Sequence, residues 1–369
     1  MFPQVLQKAR VQFAKELPFV LYRQPGADEV TLMVQQNSDV HNVDTFDETG
    51  FVFAPFDDKQ PPILLHPDEV FKEKYENRKT KESSNSYGLE ETLQAKRKHM
   101  DLVQKAVAHI AKGDFKKVVL SRKIEIPCDK SAIDLFEALL HHYPQAFCYV
   151  WYHPKIGLWL GATPEVLTQI KNRRLTTMSL AGTKEFSEGK VPQWGTKELE
   201  EQALVTSYIS DALCNAVSHL KVSDTESVRA GNLWHLRTAI SGTVIGNGIA
   251  PVIHALHPTP AICGLPKKDS KQFILENEGY QRGYYTGYLG ELNFKERKDR
   301  SVSRRNQEHK AYGMISKNSQ LFVNLRCMQL KNGKATIYVG GGITQASIAE
   351  KEWEETIAKS KTMLKIIFN

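Results

Sequence analysis

The sequence has few cysteines and no long apolar run. Five cysteines occur in 369 residues, they are scattered, and none forms a C-x-x-C pair. An odd count without such spacing argues against structural zinc and favours a reducing compartment. No apolar stretch reaches the roughly 18 residues that a membrane-spanning helix needs, and the first ten residues lack the basic-then-apolar order of a signal peptide. We therefore expect a soluble, cytoplasmic protein.

Several catalytic signatures are also missing. The chain contains no G-x-S-x-G, no G-x-G-x-x-G, no P-loop, no metal-type histidine spacing and no internal repeat. The formal charge of +7 is modest for this length. It fits nucleic acid, an anionic membrane surface or a small acidic substrate, and it fits an ordinary solvated surface equally well.

The order of the elements predicts an α+β fold. Strands follow one another through short turns, which favours largely antiparallel β-sheets packed together with helices on the outside, in a single large domain. The segment 77–86 is predicted to be a polar connection, and 295–319 a long basic loop at a mobile hairpin tip. Strands are predicted at 19–22, 31–35, 51–54, 146–152, 156–161, 165–170, 174–180, 237–245, 284–294, 320–330 and 334–340, and helices at 90–112, 131–141, 196–219, 267–277 and 349–366.

Lys117 stands out in the alternating segment 115–122. It shares one face of a strand with Val119 and Ser121. In water its ammonium has a pKa of about 10.4, but desolvation or a nearby cation lowers that value. A buried Lys117 could take a proton from water, whereas a strand lysine more commonly extends to solvent.

Carboxylates on two helices suggest a cation site. Glu352, Glu355 and Lys359 share one face of the last helix, and three glycines, 340–342, end the strand before it. Glu201 lies on the apolar stripe of an earlier helix and could meet Glu355 across a shared Mg²⁺. The alternatives are an exposed helix with a Glu-to-Lys pair and acidic residues that complement a helix dipole.

Other polar residues lie in apolar surroundings. Glu165 follows an apolar strand and would be a general acid with a raised pKa if buried, or else an ordinary turn residue. Arg326, inside the predicted strand 320–330, is a candidate clamp for a carboxylate. His235 and His257 have apolar neighbours and would ordinarily be core histidines.

Together these segments resemble the chorismate-utilising enzymes, the family of isochorismate, salicylate, anthranilate and aminodeoxychorismate synthases. The resemblance runs from about Leu93 to Ile366. Residues 1–90 are expected to form a variable N-terminal region of the same compact fold, and 91–369 the chorismate-binding catalytic domain. The matching motifs are Lys117-Val-Val-Leu-Ser-Arg122, Gly161-Ala-Thr-Pro-Glu165, Leu180-Ala-Gly-Thr183, Leu233-Trp-His235, His257-Pro-Thr-Pro-Ala261, Arg326, Gly340-Gly-Gly342 and Glu352-Trp-Glu-Glu355.

The residues at two positions distinguish the reactions that members of that family catalyse. Members that add water carry lysine where Lys117 stands, whereas the ammonia-using anthranilate synthases carry glutamine. Aminodeoxychorismate synthases have a nucleophilic lysine at the place of Ala181, and alanine cannot act as a nucleophile. The resemblance therefore implies an isomerase, isochorismate synthase, that needs no obligatory glutamine amidotransferase subunit.

The resemblance also implies residue roles. Lys117 would be the base that delivers water to carbon 2 of chorismate, and Glu165 the acid that protonates the departing carbon 4 hydroxyl. Glu201 and Glu355 would bind Mg²⁺ directly and Glu352 through water. The implied substrate-binding residues are Gly182 beside the ring, His235 near the reacting carbons, Ala261, and Arg326, Lys359 and the Gly340 backbone around the enolpyruvyl carboxylate.

The sequence departs from the family pattern in the helix that carries Glu201. Gln202 stands where the family frequently has histidine. Glu200 is adjacent to Glu201, so spacing alone assigns Glu201, rather than Glu200, as the metal ligand. Salicylate synthase, which forms isochorismate and then eliminates pyruvate, is the alternative activity, although the small residue Ala261 favours the isochorismate formers. Both menaquinone and siderophore pathways use such enzymes.

Two further alternatives compete with a chorismate enzyme. Basic patches at 295–305 and 171–174 could bind nucleic acid, but aromatic residues are not interleaved and no reading motif is present. The second alternative is an inactive relative of the chorismate-utilising enzymes, although every expected catalytic residue type is present. We expect chorismate as the partner, with no nucleic acid and no membrane.

Overall fold

The computed structural model describes residues 4–75, 92–186, 192–230, 233–298 and 314–368. Within these ranges the strands pair antiparallel in two large sheets. The first sheet has the spatial order Gly264–Leu265 (β15), Lys117–Pro127 (β7), Lys334–Ile343 (β19), Cys327–Lys331 (β18), Gly157–Thr163 (β9), Phe147–His153 (β8), Phe19–Arg23 (β1), Glu29–Val34 (β2) and Glu69–Lys74 (β6).

The second sheet is built mainly from the middle of the chain. One extra strand, Glu226–Ala230 (β13), pairs with Leu233–Val244 (β14) outside the main order. That order is Val217–Val222 (β12), Leu233–Val244 (β14), Arg174–Glu185 (β11), Val166–Lys171 (β10), Met314–Val323 (β17), Tyr288–Lys298 (β16), Gly50–Ala54 (β4), Ile63–Leu65 (β5) and His41–Asn42 (β3).

The helices cover the outer faces of the sheets, because each sheet buries apolar side chains on both sides. The bounds of the helices are Gln4–Ala14 (α1), Leu93–Lys112 (α2), Ala132–His142 (α3), Thr196–Leu213 (α4), Ala250–Leu256 (α5), Lys267–Asn277 (α6) and Ala349–Phe368 (α7). Helices α1, α3 and α7 pack on the first sheet, α4 and α5 on the second, and α2 and α6 against β7. No helix in the described ranges has the length and apolar character needed to cross a membrane.

Aromatic side chains fill the space between the two sheets. Phe53 stacks on Tyr284, and Phe147 on Phe322, each pair with ring centroids 4.2 Å apart. This core contains strands from the N-terminal region, since β1 pairs with β8 and β4 with β16. The predicted α+β fold of antiparallel sheets with outer helices is confirmed, whereas the division at residue 90 stays a prediction.

Three predicted elements differ in the structure. The strand predicted at 320–330 is two strands, β17 and β18, in different sheets, and Arg326 lies in the crossover with φ 47°. The helix predicted at 196–219 ends at Leu213, because Val217–Val222 pairs with β14 instead. Strands β16 and β17 extend into the loop predicted at 295–319, whose remaining residues 299–313 lie outside the described ranges, as does the connection at 77–86.

Candidate active site

One pocket collects nearly all of the residues that the sequence singles out. Its walls come from β7 and β19 of the first sheet, β11 and β14 of the second, helices α4 and α7, and the crossover between β17 and β18. The predicted residues that line it are Glu165, Gly182, Glu201, His235, Ala261, Arg326, Gly340, Glu355 and Lys359. The other two, Lys117 and Glu352, are not part of this lining but lie beside Gly342 and Gly341, which are.

Lys117 is the first residue of β7, and only 1% of its side chain is exposed. The strand is held on both sides, by Leu265 of β15 and by the whole length of β19. Its Nζ lies 2.7 Å from Glu201 Oε1. The burial that a catalytic lysine requires is therefore present, and in this structure the ammonium is paired with a carboxylate.

The glycines at the end of β19 leave room for the carboxylates. A Cβ at Gly342 would lie 2.5 Å from Glu201 Oε1, and a Cβ at Gly341 would lie 3.4 Å from both Glu352 Oε2 and Glu355 Oε1. Oxygen atoms of all three glutamates thus approach two consecutive residues that lack side chains. Such a set of hard oxygen donors matches the preference of Mg²⁺.

The carboxylates are not, however, gathered around one point. Within the described residues no three His, Cys, Asp or Glu side chains are arranged to hold a metal ion. Glu201 instead pairs with Lys117, and Glu355 Oε1 lies 2.6 Å from Lys359 Nζ. The predicted ligands Glu201, Glu352 and Glu355 are therefore neighbours of one strand end, and their role as ligands stays a prediction.

Two cations lie on the α7 side of the pocket. Lys359 Nζ also donates to Gly340 O at 2.8 Å, which ties α7 to β19. Arg326 extends from the sheet crossover and donates from Nη1 to Lys359 O at 3.4 Å. Its positive φ is uncommon for a residue other than glycine, and such conformations concentrate at functional sites. These two side chains provide the positive charge that an anionic ligand would need.

Glu165 lies at the junction of β9 and β10 and is only 5% exposed. Its backbone carbonyl accepts a hydrogen bond from Val323 N at 3.0 Å, which fixes the junction. Burial raises the pKa of Glu165 to about 7, although Lys117, Lys359 and Arg326 act to lower it. A carboxyl with such a pKa retains its proton into the neutral range and can donate it.

His235 on β14 is buried and neutral. Burial lowers the pKa of His235 to about 3, and Arg326 and Lys359 act in the same direction. Its Nδ1 lies 2.9 Å from Gly182 O, so this nitrogen carries the proton and donates it to the carbonyl. Nε2 is then an acceptor, and it has no hydrogen-bond partner among the described residues. His257, by contrast, bonds Pro55 O outside the pocket lining.

Gln202, the departure from the family pattern, fixes the helix that carries Glu201. Its Nε2 donates to Ser179 Oγ at 2.8 Å and to Thr238 Oγ1 at 2.9 Å. Ser179 lies on β11 and Thr238 on β14, the two strands that carry Gly182 and His235. The amide therefore anchors α4 to both strands of the pocket.

Sequence reasoning did not single out four other residues of the lining. Tyr285 is the most informative, because its hydroxyl oxygen lies 3.0 Å from where a Cβ on Gly340 would be. The aromatic-rich segment 282–287, Arg-Gly-Tyr-Tyr-Thr-Gly, was the available signal. The residues missed are Tyr285, Thr286, Leu325 and Tyr338.

A buried acid, a buried lysine and a cationic wall around one pocket are features of an enzyme that acts on a small acidic ligand. A family model described as chorismate binding enzyme matches residues 63–306, and a second model of the same description matches 311–365. The chain belongs to the chorismate binding enzyme family.

Curated relatives carry two kinds of name. Isochorismate synthase EntC of Escherichia coli (strain K12) is 28% identical over 331 residues, covering 85% of this chain and 79% of that protein. Anthranilate synthase component 1 of Aquifex aeolicus is 27% identical over 288 residues, covering 72% of this chain and 52% of that protein.

Solved structures share the fold. A crystal structure described as a putative 2,3-dihydroxybenzoate-specific isochorismate synthase, DhbC from Bacillus anthracis, has a TM-score of 0.78 at 21% identity and covers 99% of this chain and 98% of that one. The menaquinone-specific isochorismate synthase MenF from Escherichia coli has a TM-score of 0.74 at 20% identity, covering 95% of this chain and 88% of that one.

Proposed function

We propose that this protein is an isochorismate synthase, an isomerase that adds water at carbon 2 of chorismate and releases the carbon 4 hydroxyl. The observation that carries the proposal is Lys117, which is buried and lies against Gly342 of the pocket lining. Ala181, in the pocket lining, leaves no nucleophilic amine at that position. The relatives named isochorismate synthases support the same activity.

In the proposed reaction Lys117 takes a proton from water as the water oxygen bonds to carbon 2. The ring double bonds shift, the bond between carbon 4 and its hydroxyl oxygen breaks, and Glu165 donates the proton with which that hydroxyl leaves as water. One water is consumed and one released, so the net change is an isomerisation. A proton then returns through solvent from Lys117 to Glu165 before the next turnover.

The remaining pocket residues would hold the substrate. Arg326 and Lys359 carry the positive charge for the enolpyruvyl carboxylate, beside the backbone of Gly340. His235 would accept a hydrogen bond from a substrate hydroxyl at Nε2, since its proton is on Nδ1. Gly182 and Ala261 present no bulky side chain, and the ring would lie between them.

Mg²⁺ is part of the proposal. Glu201 and Glu355 would bind it directly and Glu352 through water, at the strand end where Glu201 approaches Gly342 and the other two glutamates approach Gly341. The bound cation would neutralise and orient the ring carboxylate of chorismate. In this structure Glu201 pairs with the Lys117 ammonium. Lys117 is a base only as the neutral amine, so in the proposed reaction Glu201 would bind the cation instead of the lysine.

Product analysis tests the proposal. The protein is incubated with chorismate and Mg²⁺, with and without ammonium, and the products are identified by chromatography. We expect isochorismate in both cases, with no effect of ammonium and no need for an amidotransferase subunit. Salicylate with pyruvate as the main product would establish the alternative activity, and anthranilate would overturn the role of water.

Lys117→Gln tests the base. The amide cannot take a proton from water, so we expect isochorismate formation to be lost while chorismate still binds in the presence of Mg²⁺. Turnover at the wild-type rate would refute the role of Lys117. Lys116→Gln, one residue earlier on the exposed side, is the matched control and should retain full activity.

A further inference from the structure

A second buried ion pair lies beside the pocket and includes none of the groups proposed to react. Glu278 follows α6 and is 4% exposed, and Arg282, four residues later, is 3% exposed. Arg282 Nη2 lies 2.5 Å from Glu278 Oε1, and Nε lies 2.8 Å from Oε2. The guanidinium thus binds the carboxylate through two parallel hydrogen bonds, the strongest geometry for such a pair.

The other hydrogen bonds of Arg282 reach three separate segments of the pocket wall. Nη2 donates to Val119 O at 2.7 Å, and Nη1 donates to Ile262 O at 3.0 Å and to Thr286 Oγ1 at 3.2 Å. All three acceptors belong to residues that line the pocket. Thr286 has φ 60°, a conformation that a β-branched residue adopts only with outside support.

Glu278 extends the same network to β7. Its Oε1 accepts hydrogen bonds from the backbone N and the Oγ of Ser121, at 2.7 and 2.8 Å. Ser121 pairs across the sheet with Gly340, and it belongs to the strand that begins at Lys117. The ion pair therefore fixes β7 and β19 relative to the loops before β15 and β16.

We infer that Arg282 is a positioning residue that sets the width of the substrate pocket, and that Glu278 holds it in place. A guanidinium presents five donors in a rigid plane, so one side chain can bond the carboxylate and three wall segments together. A lysine ammonium at this position keeps the charge next to Glu278 but cannot reach all three segments. The wall would then relax and bind the substrate less tightly.

The test compares Arg282→Lys and Glu278→Gln with a matched control, Lys271→Met. Lys271 is also buried, lies on the adjacent helix α6 and pairs with Asp57 and Asp58, but it does not line the pocket or bond its wall. Initial rates of chorismate consumption give KM and kcat, and thermal unfolding gives Tm. We expect all three variants to lower Tm, and only the first two to raise KM, by about tenfold, with kcat changed less than about threefold.

The inference rests on the pocket being the chorismate site of the proposed function. One result would contradict the proposed function, and a different result would contradict the inference. A wild-type protein that does not consume chorismate would defeat the proposed function. A wild-type protein that consumes it, with KM of both pair variants within about twofold of the Lys271→Met value, would show that the pair is only structural. Glu278→Gln keeps the size of the side chain and one acceptor oxygen, so it decides the question if Arg282→Lys does not fold.

Discussion

Glutamate side chains lie in contrasting environments in two regions of the pocket. At the β9–β10 junction, Glu165 is buried and forms no ion pair within the described residues, and its pKa is raised to about 7. At the end of β19, Glu201 and Glu355 each pair with a lysine. The first environment favours a protonated carboxyl that can donate its proton. The second places each carboxylate against a lysine ammonium. Environment, and not residue type, distinguishes the proposed acid from the proposed metal ligands.

Glu165→Gln should have the largest effect on activity, because it removes the buried acid at the β9–β10 junction. The amide fills the same space but carries no acidic proton, so the rate of chorismate consumption should fall about 10³-fold, within the range usual for general acids. Mg²⁺ affinity, measured by calorimetry, should be unchanged because the cation region is untouched. A residual rate above about a tenth of wild type would remove Glu165 from the mechanism.

The same variant should show a pH-dependent gain in stability. Because the pKa of Glu165 is higher in the folded than in the unfolded chain, the wild type loses stability as pH rises from about 4.5 through about 7. An uncharged amide has no such loss, so Glu165→Gln should be more stable than wild type at pH 9, by up to about 3 kcal/mol, and similar at pH 4. Urea unfolding at the two pH values measures this, and an equal difference at both would contradict the raised pKa.

Glu355→Gln tests the proposed cation site at the end of β19. Removing one ligand charge is expected to weaken Mg²⁺ binding at least about tenfold, or about 1.4 kcal/mol, as measured by calorimetry. Glu354→Gln is the control, since Glu354 is the neighbouring residue of the same helix and its side chain is exposed. Equal Mg²⁺ affinity of the two variants would place the metal elsewhere.

The smallest expected effect concerns the glycines. A Cβ at Gly342 would lie 2.5 Å from Glu201 Oε1, whereas a Cβ at Gly341 meets its neighbours at an ordinary 3.4 Å. Gly342→Ala should therefore raise KM for chorismate about fivefold, roughly 1 kcal/mol, and Gly341→Ala by less than about twofold. The reverse order of the two KM values would show that the carboxylates do not depend on this strand end.

The sequence predicted most of the fold and of the pocket, because alternation and helix signals are local. The bounds of helix 267–277 and the end of α2 at Lys112, before Gly113 with φ 88°, agree with the structure at the residue level. Arg326 was misplaced because the apolar run from 320 to 330 looks like one strand, and only the packing of two sheets makes the chain cross between them.

The sequence does not show which residues far apart along the chain contact each other. The pair between Lys117 and Glu201 joins residues 84 positions apart, and the bond from Arg282 to Val119 spans 163. No periodicity in the sequence links such residues. Neither the pair between Lys117 and Glu201 nor the hydrogen bonds from Arg282 to the pocket wall could therefore be predicted. The burial of Lys117 could be expected only once the other motifs indicated a pocket.

Isotope labelling tests whether the oxygen added at carbon 2 comes from solvent water. The protein is given chorismate and Mg²⁺ in water enriched in ¹⁸O, and the product is analysed by mass spectrometry. If Lys117 delivers solvent water, isochorismate should contain one ¹⁸O, located on carbon 2. Isochorismate without label, or a product that carries nitrogen at carbon 2 when ammonium is added, would contradict the account.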